Sequence, residues 1–195
     1  MNTPPGRKQL THERIVATAA RAIRRGGFQG FSVADIMKEA GLTHGGFYAH
    51  FASRDALLAE ALDRAGQEGA TRIADHAAAR RKQGASAFRS LVDGYLAERH
   101  LGSTETMCAV AALASEMPRQ CPEVRESAAQ RVRGLVALIE RSLPPEAAAQ
   151  SAAVIASQLV GALQLARALG DNAEGSALLA ASRRALLAQY DHPDA

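Results

Sequence analysis

Apolar positions in this chain recur at intervals of three and four residues, and no stretch alternates with a period of two. That spacing lines one face of a helix and predicts an all-α chain. Ile15, Val16, Ala19, Ala22 and Ile23 define a first helix, with Thr11 as its cap, Glu13 in its first turn and Gly26-Gly27 as its stop. Phe28 and Phe31 flank Gly30 and are expected to pack inward. Ser32 opens a second helix, with Asp35 three residues on in the manner of a capping box; Val33, Ile36 and Met37 face inward and Gly41 ends it. Leu42 is a buried turn residue, Thr43 caps a third short helix packed by Phe47 and Phe51, and Ser53 caps a fourth that runs to about Lys82. Further helices are expected at about 85–101, 105–117, 122–142, 145–169 and 174–190, with Pro118, Pro122, Pro144 and Pro145 at the junctions. The sum is about nine helices.

The 195 residues are 47% hydrophobic, rich in Ala and without Trp, which supplies a packed core and suits helices. No stretch of about 18 apolar residues runs free of charge, so no transmembrane helix is expected. The polar Met1–Gln9 segment lacks the apolar run of a signal peptide. Two cysteines, Cys108 and Cys121, are too few for a disulfide scaffold or a zinc site. The expectation is a cytoplasmic protein with no metal, no cofactor and no membrane partner. No nucleophile–base grouping or phosphate loop appears, which argues against an enzyme. Charge, however, is unevenly spread. Residues 1–55 carry eight Lys or Arg against four Asp or Glu, whereas 56–195 carry 15 against 16. One end of the chain is therefore suited to phosphate.

That basic end holds the informative stretch, FSVADIMKEAGLTHGGFYAHFASRDALL, from Phe31 to Leu58. It reads as a helix, a three-residue turn (Gly41-Leu42-Thr43) and a second short helix, a helix-turn-helix of about 32–51 that projects its second helix toward the DNA major groove. On that helix Phe47 and Phe51 fall inward, and Gly45 and Ala49 fall opposite, where small residues let the backbone approach base edges. Tyr48 and His44 lie on one flank and His50 on the other. Thr43 and the first amides of the helix make a phosphate seat. His44 and His50 are six residues apart with no third ligand near, so they are not a metal site; they read either as DNA contacts or as solvated histidines. Arg7 and Lys8 read either as a minor-groove arm or as a solubilising tail.

The run from Gly41 to Leu57, GLTHGGFYAHFASRDAL, resembles the recognition-helix signature of TetR-family regulators, and Gly27-Phe28 and Phe31–Ile36 match that family's pattern upstream. The resemblance covers roughly residues 10–60. It implies a DNA-binding domain over 1–55 and an effector-binding and dimerisation domain over 56–195. It further implies a dimer on a palindromic double-stranded operator, released by a small molecule. Carried over by position, Thr43, His44, Gly45, Tyr48, His50 and Arg54 would contact DNA, with Ser32 at a phosphate. Arg54 stands where the family usually has Lys, and His44 where Lys or Gln is common.

In the C-terminal part, Phe88, Leu91, Val92 and Tyr95 share a helical face. With Met107, Cys108, Ala111 and Met117 that face reads either as an apolar effector pocket, with Glu116 and His100 as polar handles, or as ordinary core. Ile155, Leu159, Ala162, Leu163 and Ala166, with Leu178, Ala181, Ala185 and Leu186, form a seam suited either to a four-helix dimer contact or to an intrachain helix pair. Cys121, two residues after Arg119 and at a helix start, suits a reactive thiol, so Cys121 and Cys108 raise the alternative of an oxidant- or electrophile-sensing repressor. A ligand-independent architectural or activating DNA-binding protein is the other alternative.

Overall fold

The computed structural model describes residues 6–30, 32–103, 105, 107–143 and 145–191, the side chains of the last stretch from residue 151 onward. Phe31 and Pro144, both used in the sequence reading, lie outside them. The described residues form nine α-helices and two 3₁₀ segments and contain no strand, so the all-α expectation holds. The first helix, α1 (Arg7–Gly26), begins earlier than Thr11, from Gly6. Thr11 sits within it and its hydroxyl donates to the Arg7 carbonyl at 2.9 Å. The chain leaves α1 at Gly27, whose φ of 73° favours glycine. Ser32 caps α2 (Val33–Glu39) by accepting from the Asp35 amide, as its spacing predicts.

The helix α3 (Arg54–Arg81), capped by Ser53, is the longest element and belongs to two cores. Its first turns, through Leu57, Leu58, Ala61, Leu62 and Ala65, join α1, α2 and the aromatic pair Phe47 and Phe51 in one apolar cluster. That cluster runs past the expected boundary at residue 55, for it also takes in Ala109 and Leu113 of α6 (Ala109–Leu113), Met117, and Val124 and Ala128 of α7 (Pro122–Glu140). A second cluster fills the far end between α4 (Ala87–Tyr95), α7, α8 (Pro145–Leu169) and α9 (Ala173–Tyr190).

Three expectations change here. The helix expected over 85–101 stops at Tyr95 and resumes as a single turn, α5 (Arg99–Gly102). The break is stabilised by nearby side chains: Arg99 and His100 both reach the Gly94 carbonyl, at 3.2 and 3.1 Å, and Leu96 is buried. The helix expected over 105–117 shortens to α6 plus a 3₁₀ turn at Met117–Arg119. Finally, Ile155, Leu159, Ala162, Leu163, Ala166 and Leu186 are buried within this chain's own core, so they are not a surface for a second protomer. The large exposed apolar residues among the described part of α8 are Val154, Leu165 and Leu169 instead. Ser151–Leu169 is long and apolar enough to cross a membrane on those counts alone. Arg167 interrupts it and its inner face is core.

One tie between the two ends was not foreseen. The Glu116 carboxylate accepts from the amide of the fully buried Phe28 at 3.0 Å, and the missing side chain of Gly27 makes room for it. Glu116→Ala leaves that amide unpaired and is expected to destabilise the fold by about 1–3 kcal/mol in chemical denaturation; an unchanged midpoint would show that the tie is incidental.

Candidate nucleic-acid interface and internal cavity

The helix-turn-helix is built on a turn closed by backbone bonds. Gly41, at φ 71°, ends α2, its amide bonding Lys38 O at 3.0 Å while Leu42 N bonds Met37 O at 2.8 Å. This is the paired closure that a left-handed glycine allows after a helix. The segment that follows, His44–Ala49, is a 3₁₀ helix where an α-helix was expected. Gly45-Gly46 weakens the α form, and Gly46 N and His50 N bond back three residues, to Thr43 O and Phe47 O. Side chains three apart then eclipse, so Tyr48 stands in register with Gly45.

Phe47 anchors the segment at 1% exposure, stacked on Phe51 at 5.5 Å, and His12 of α1 covers Phe51 at 4.5 Å. Tyr48 packs edge-on against Phe47 at 5.2 Å and remains 72% exposed. Thr43, His44, Gly45 and Ala49 are exposed alongside it, and Ser32 is exposed at the start of α2. His50 is half-buried with its Nδ1 unpartnered. Burial, with His12 and Lys8 nearby, holds its pKa below the ordinary histidine value. Arg54 does structural work: its guanidinium donates to the Phe28 carbonyl and lies 3.8 Å from Asp55. Arg7 and Lys8 are the first residues of α1 and exposed, part of the helix rather than of an arm or tail. Sequence reasoning missed His12, whose Nε2 lies 2.6 Å from Glu60. The signal for it was only its spacing on the exposed side of α1.

Behind this head, residues of α3, α4, α5, α6, α7 and α8 line a cavity of about 310 Å³. Of the residues expected to form a pocket, Tyr95 and Cys108 line it, as does His100. Met107, Ala111 and Glu116 line a separate cleft beside Arg24 and Gly27. Phe88, Leu91 and Met117 are plain core. The wall is not apolar throughout: Arg72, Arg99, Arg131, Arg141 and His76 also face it. No spacing rule singled them out, because isolated cations on a helix normally read as a solvated face. Burial and then Arg99 lower His100, while its bond to the Gly94 carbonyl opposes them. Cys121 caps α7 and packs against the first core, so the structure places the two cysteines in different settings.

Residues 15–61 match the family model for bacterial regulatory proteins of the tetR family. Rv0196, an uncharacterized HTH-type transcriptional regulator of Mycobacterium tuberculosis (strain ATCC 25618 / H37Rv), is 30% identical over 174 residues, covering 84% of this chain and 87% of its own length. A TetR-family regulator from Agrobacterium tumefaciens superposes with a TM-score of 0.72 at 26% identity, over 94% of this chain and 98% of that one. A TetR regulator from Legionella pneumophila reaches 0.73 at 21% identity, over 97% and 100%, a likeness of fold. Head, fold and relatives together define a helix-turn-helix, DNA-binding transcriptional regulator. The chain belongs to the TetR family.

Two outcomes test this geometry. A Cβ on Gly45 meets nothing within 4 Å, so Gly45→Ala should leave the melting temperature unchanged or raised, by up to about 1 kcal/mol of stability. DNA affinity should fall. Loss of stability would mean that the fold, not the groove, needs this glycine. For pH, His50 and His100 bind protons less readily folded than unfolded. Stability is thus fully present above the ordinary histidine value and is lost as pH drops below it. A melting temperature flat across that range would contradict the two shifts.

Proposed function

We propose that this regulator is a dimeric repressor: two copies of the 43–51 segment bind a palindromic operator in the cytoplasm, and a small molecule in the cavity releases them. The observation that carries this reading is that one unbroken helix, α3, packs the head with its first turns and walls the cavity with Gly66, Gly69, Arg72, Ile73 and His76. A ligand that favours a different position of that helix biases the head. A second link runs beside it. Glu105 holds Arg25 at 2.8 Å and Glu116 holds the Phe28 amide, and between them Cys108, Ala109 and Val110 form cavity wall.

On the DNA side, Ser32, Thr43, His44, Gly45, Tyr48 and His50 supply phosphate and base contacts. Arg54 contributes through the Phe28 carbonyl, holding the end of α1 against the start of α3. On the dimer side, the exposed Val154, Leu165 and Leu169 of α8 and the small exposed Ala177, Ala181 and Ala185 of α9 support a two-fold helical contact. That face sets the two reading segments roughly one DNA turn, about 34 Å, apart or somewhat more. A second reading follows from the position of Cys108 in the cavity wall: an electrophile entering there would meet a thiol. Unchanged electrophile response in Cys108→Ser and Cys121→Ser would remove it.

The decisive test is to map the DNA bound by the purified protein, beginning upstream of its own gene, and to repeat the measurement with Tyr48→Ala. Since an exposed aromatic beside the major groove has no role in this core, Tyr48→Ala should weaken operator binding by more than about tenfold while the protein stays dimeric. Leu165→Glu, 61% exposed in the single chain, should give folded monomers by light scattering. A folded dimer in Leu165→Glu would place the contact elsewhere.

A further inference from the structure

The cavity is unlike a pocket made for an uncharged hydrocarbon. Its space is built into the backbone. Gly69 lies in the middle of α3 and is buried, yet a Cβ added there meets nothing within 4 Å. Gly134 of α7, an exposed glycine, lies at the cavity's edge with nothing within 4 Å of an added Cβ. Helix-interior glycine is less favourable than alanine by about 1 kcal/mol, and protein interiors normally leave no such room. Two further glycines seat polar side chains. A Cβ on Gly66 would meet Arg131 Cδ at 2.3 Å, and one on Gly94 would meet the His76 ring at 2.8 Å.

The charge of the wall is one-sided. Four arginines and two histidines line it, and no Asp or Glu is among its described lining residues. Some of these cations have partners: Arg131 Nε lies 3.4 Å from Asp63, and Arg99 donates to the Gly94 carbonyl. Arg72 Nη2 and His76 Nε2 are buried without a hydrogen-bond partner. His100 differs, because an Nε2–H donated to Gly94 leaves its Nδ1 as an acceptor. Burial and the neighbouring Arg24 lower Arg72 against the opposing Glu68 and Cys108, and burial, then Arg99 and Arg72, lower His100. Facing these groups are Ile73, Val110, Leu135, Leu138 and Leu163.

A buried donor left unmade is costly, and an acceptor-only anion answers two at once. We propose that the cavity binds a small amphipathic monocarboxylate, its carboxylate held by Arg72 and His76 and its apolar body laid on Leu135, Leu138 and Leu163. A cation would meet four arginines, and a neutral hydrocarbon would bury Arg72 Nη2 unpaired. At about 310 Å³ the cavity is at the small end of ligand pockets. Taking about 30 Å³ per water-sized group, it suits a molecule of roughly ten non-hydrogen atoms. The proposal rests on reading the cavity as the effector site, and it replaces the apolar effector expected from sequence.

The test uses the full-length protein and two matched sets of probes: octanoate, octanol and octylamine, and 4-phenylbutyrate with its alcohol and amine. Affinity is read by calorimetry, with DNA affinity read in parallel. The acid of at least one set is expected to bind about tenfold or more tightly than its alcohol, with the amine weakest. Arg72→Met should abolish that preference, and Arg72→Lys should retain part of it. Gly69→Leu should remove binding by filling the space, with circular dichroism showing the helices intact; His76→Phe provides a second variant should Gly69→Leu fail to fold. Alcohol or amine binding as well as the acid, or an acid preference that survives Arg72→Met and His76→Phe, overturns the proposal while leaving a ligand-sensing repressor standing. Acid binding that is lost in Gly69→Leu yet never changes DNA affinity upholds the anion site and overturns the sensing role. Failure of both acids to bind overturns the proposal.

Discussion

The contact between α1 and α3 fixes where everything else can be. Small residues, Ala19 and Ala20 on α1 and Ala61 and Ala65 on α3, are buried in the apolar cluster these helices share. Arg24, only 5% exposed, then reaches across to Glu68 at 2.9 Å and toward the Ala65 carbonyl at 3.4 Å, while Arg64 holds the other Glu68 oxygen at 2.8 Å. Burial pushes Glu68 up, but Arg64 and Arg24 together keep it below the ordinary carboxylate value. Such a pair adds little net stability, yet breaking it strands a buried charge. It therefore sets the register of α1 on α3.

That register ties the head to α3. The helix is 28 residues long, about 42 Å at 1.5 Å per residue, and its second half has fewer buried residues than its first. Past Ala65, Gly69 is its one fully buried residue among those described. The well-packed end carries the helix-turn-helix, and the end with fewer buried residues faces the cavity. A ligand in that space has leverage on the element the head is bound to. The 105–116 segment adds a second hold, from the cavity wall to the end of α1, through Glu116 and Glu105.

The head was legible in sequence because its determinants are local. Ser32, Gly41 and Ser53 cap or stop helices through neighbours within five residues, and Phe47 and Phe51 declare one buried face. The 3₁₀ form of His44–Ala49 departs from the helix that the spacing of Phe47 and Phe51 predicts, because Gly45-Gly46 weakens the α form. Farther along, the information is tertiary. The cavity draws its wall from six helices, α3 to α8, and the α4 break, though closed by the nearby Arg99 and His100 on the Gly94 carbonyl, has no spacing signal of its own. On α8, apolar residues occupy more than one face. Spacing alone did not separate the inner row, Ile155, Leu159 and Leu163, from the outer Val154, Leu165 and Leu169. The arginines around the cavity carry no periodic signal at all, and what marks Arg72 among them is its buried, unpartnered Nη2.

The central claim is that filling the cavity moves the reading heads relative to one another. Spin labels on the exposed Lys38, introduced as Lys38→Cys in a Cys108→Ser and Cys121→Ser background, report the head-to-head distance across the dimer directly. With the operator bound, this account predicts one narrow distance distribution. Addition of a saturating carboxylate that binds wild type but not Gly69→Leu should shift or broaden it and release the DNA. An identical distribution with the cavity full and empty would contradict the account.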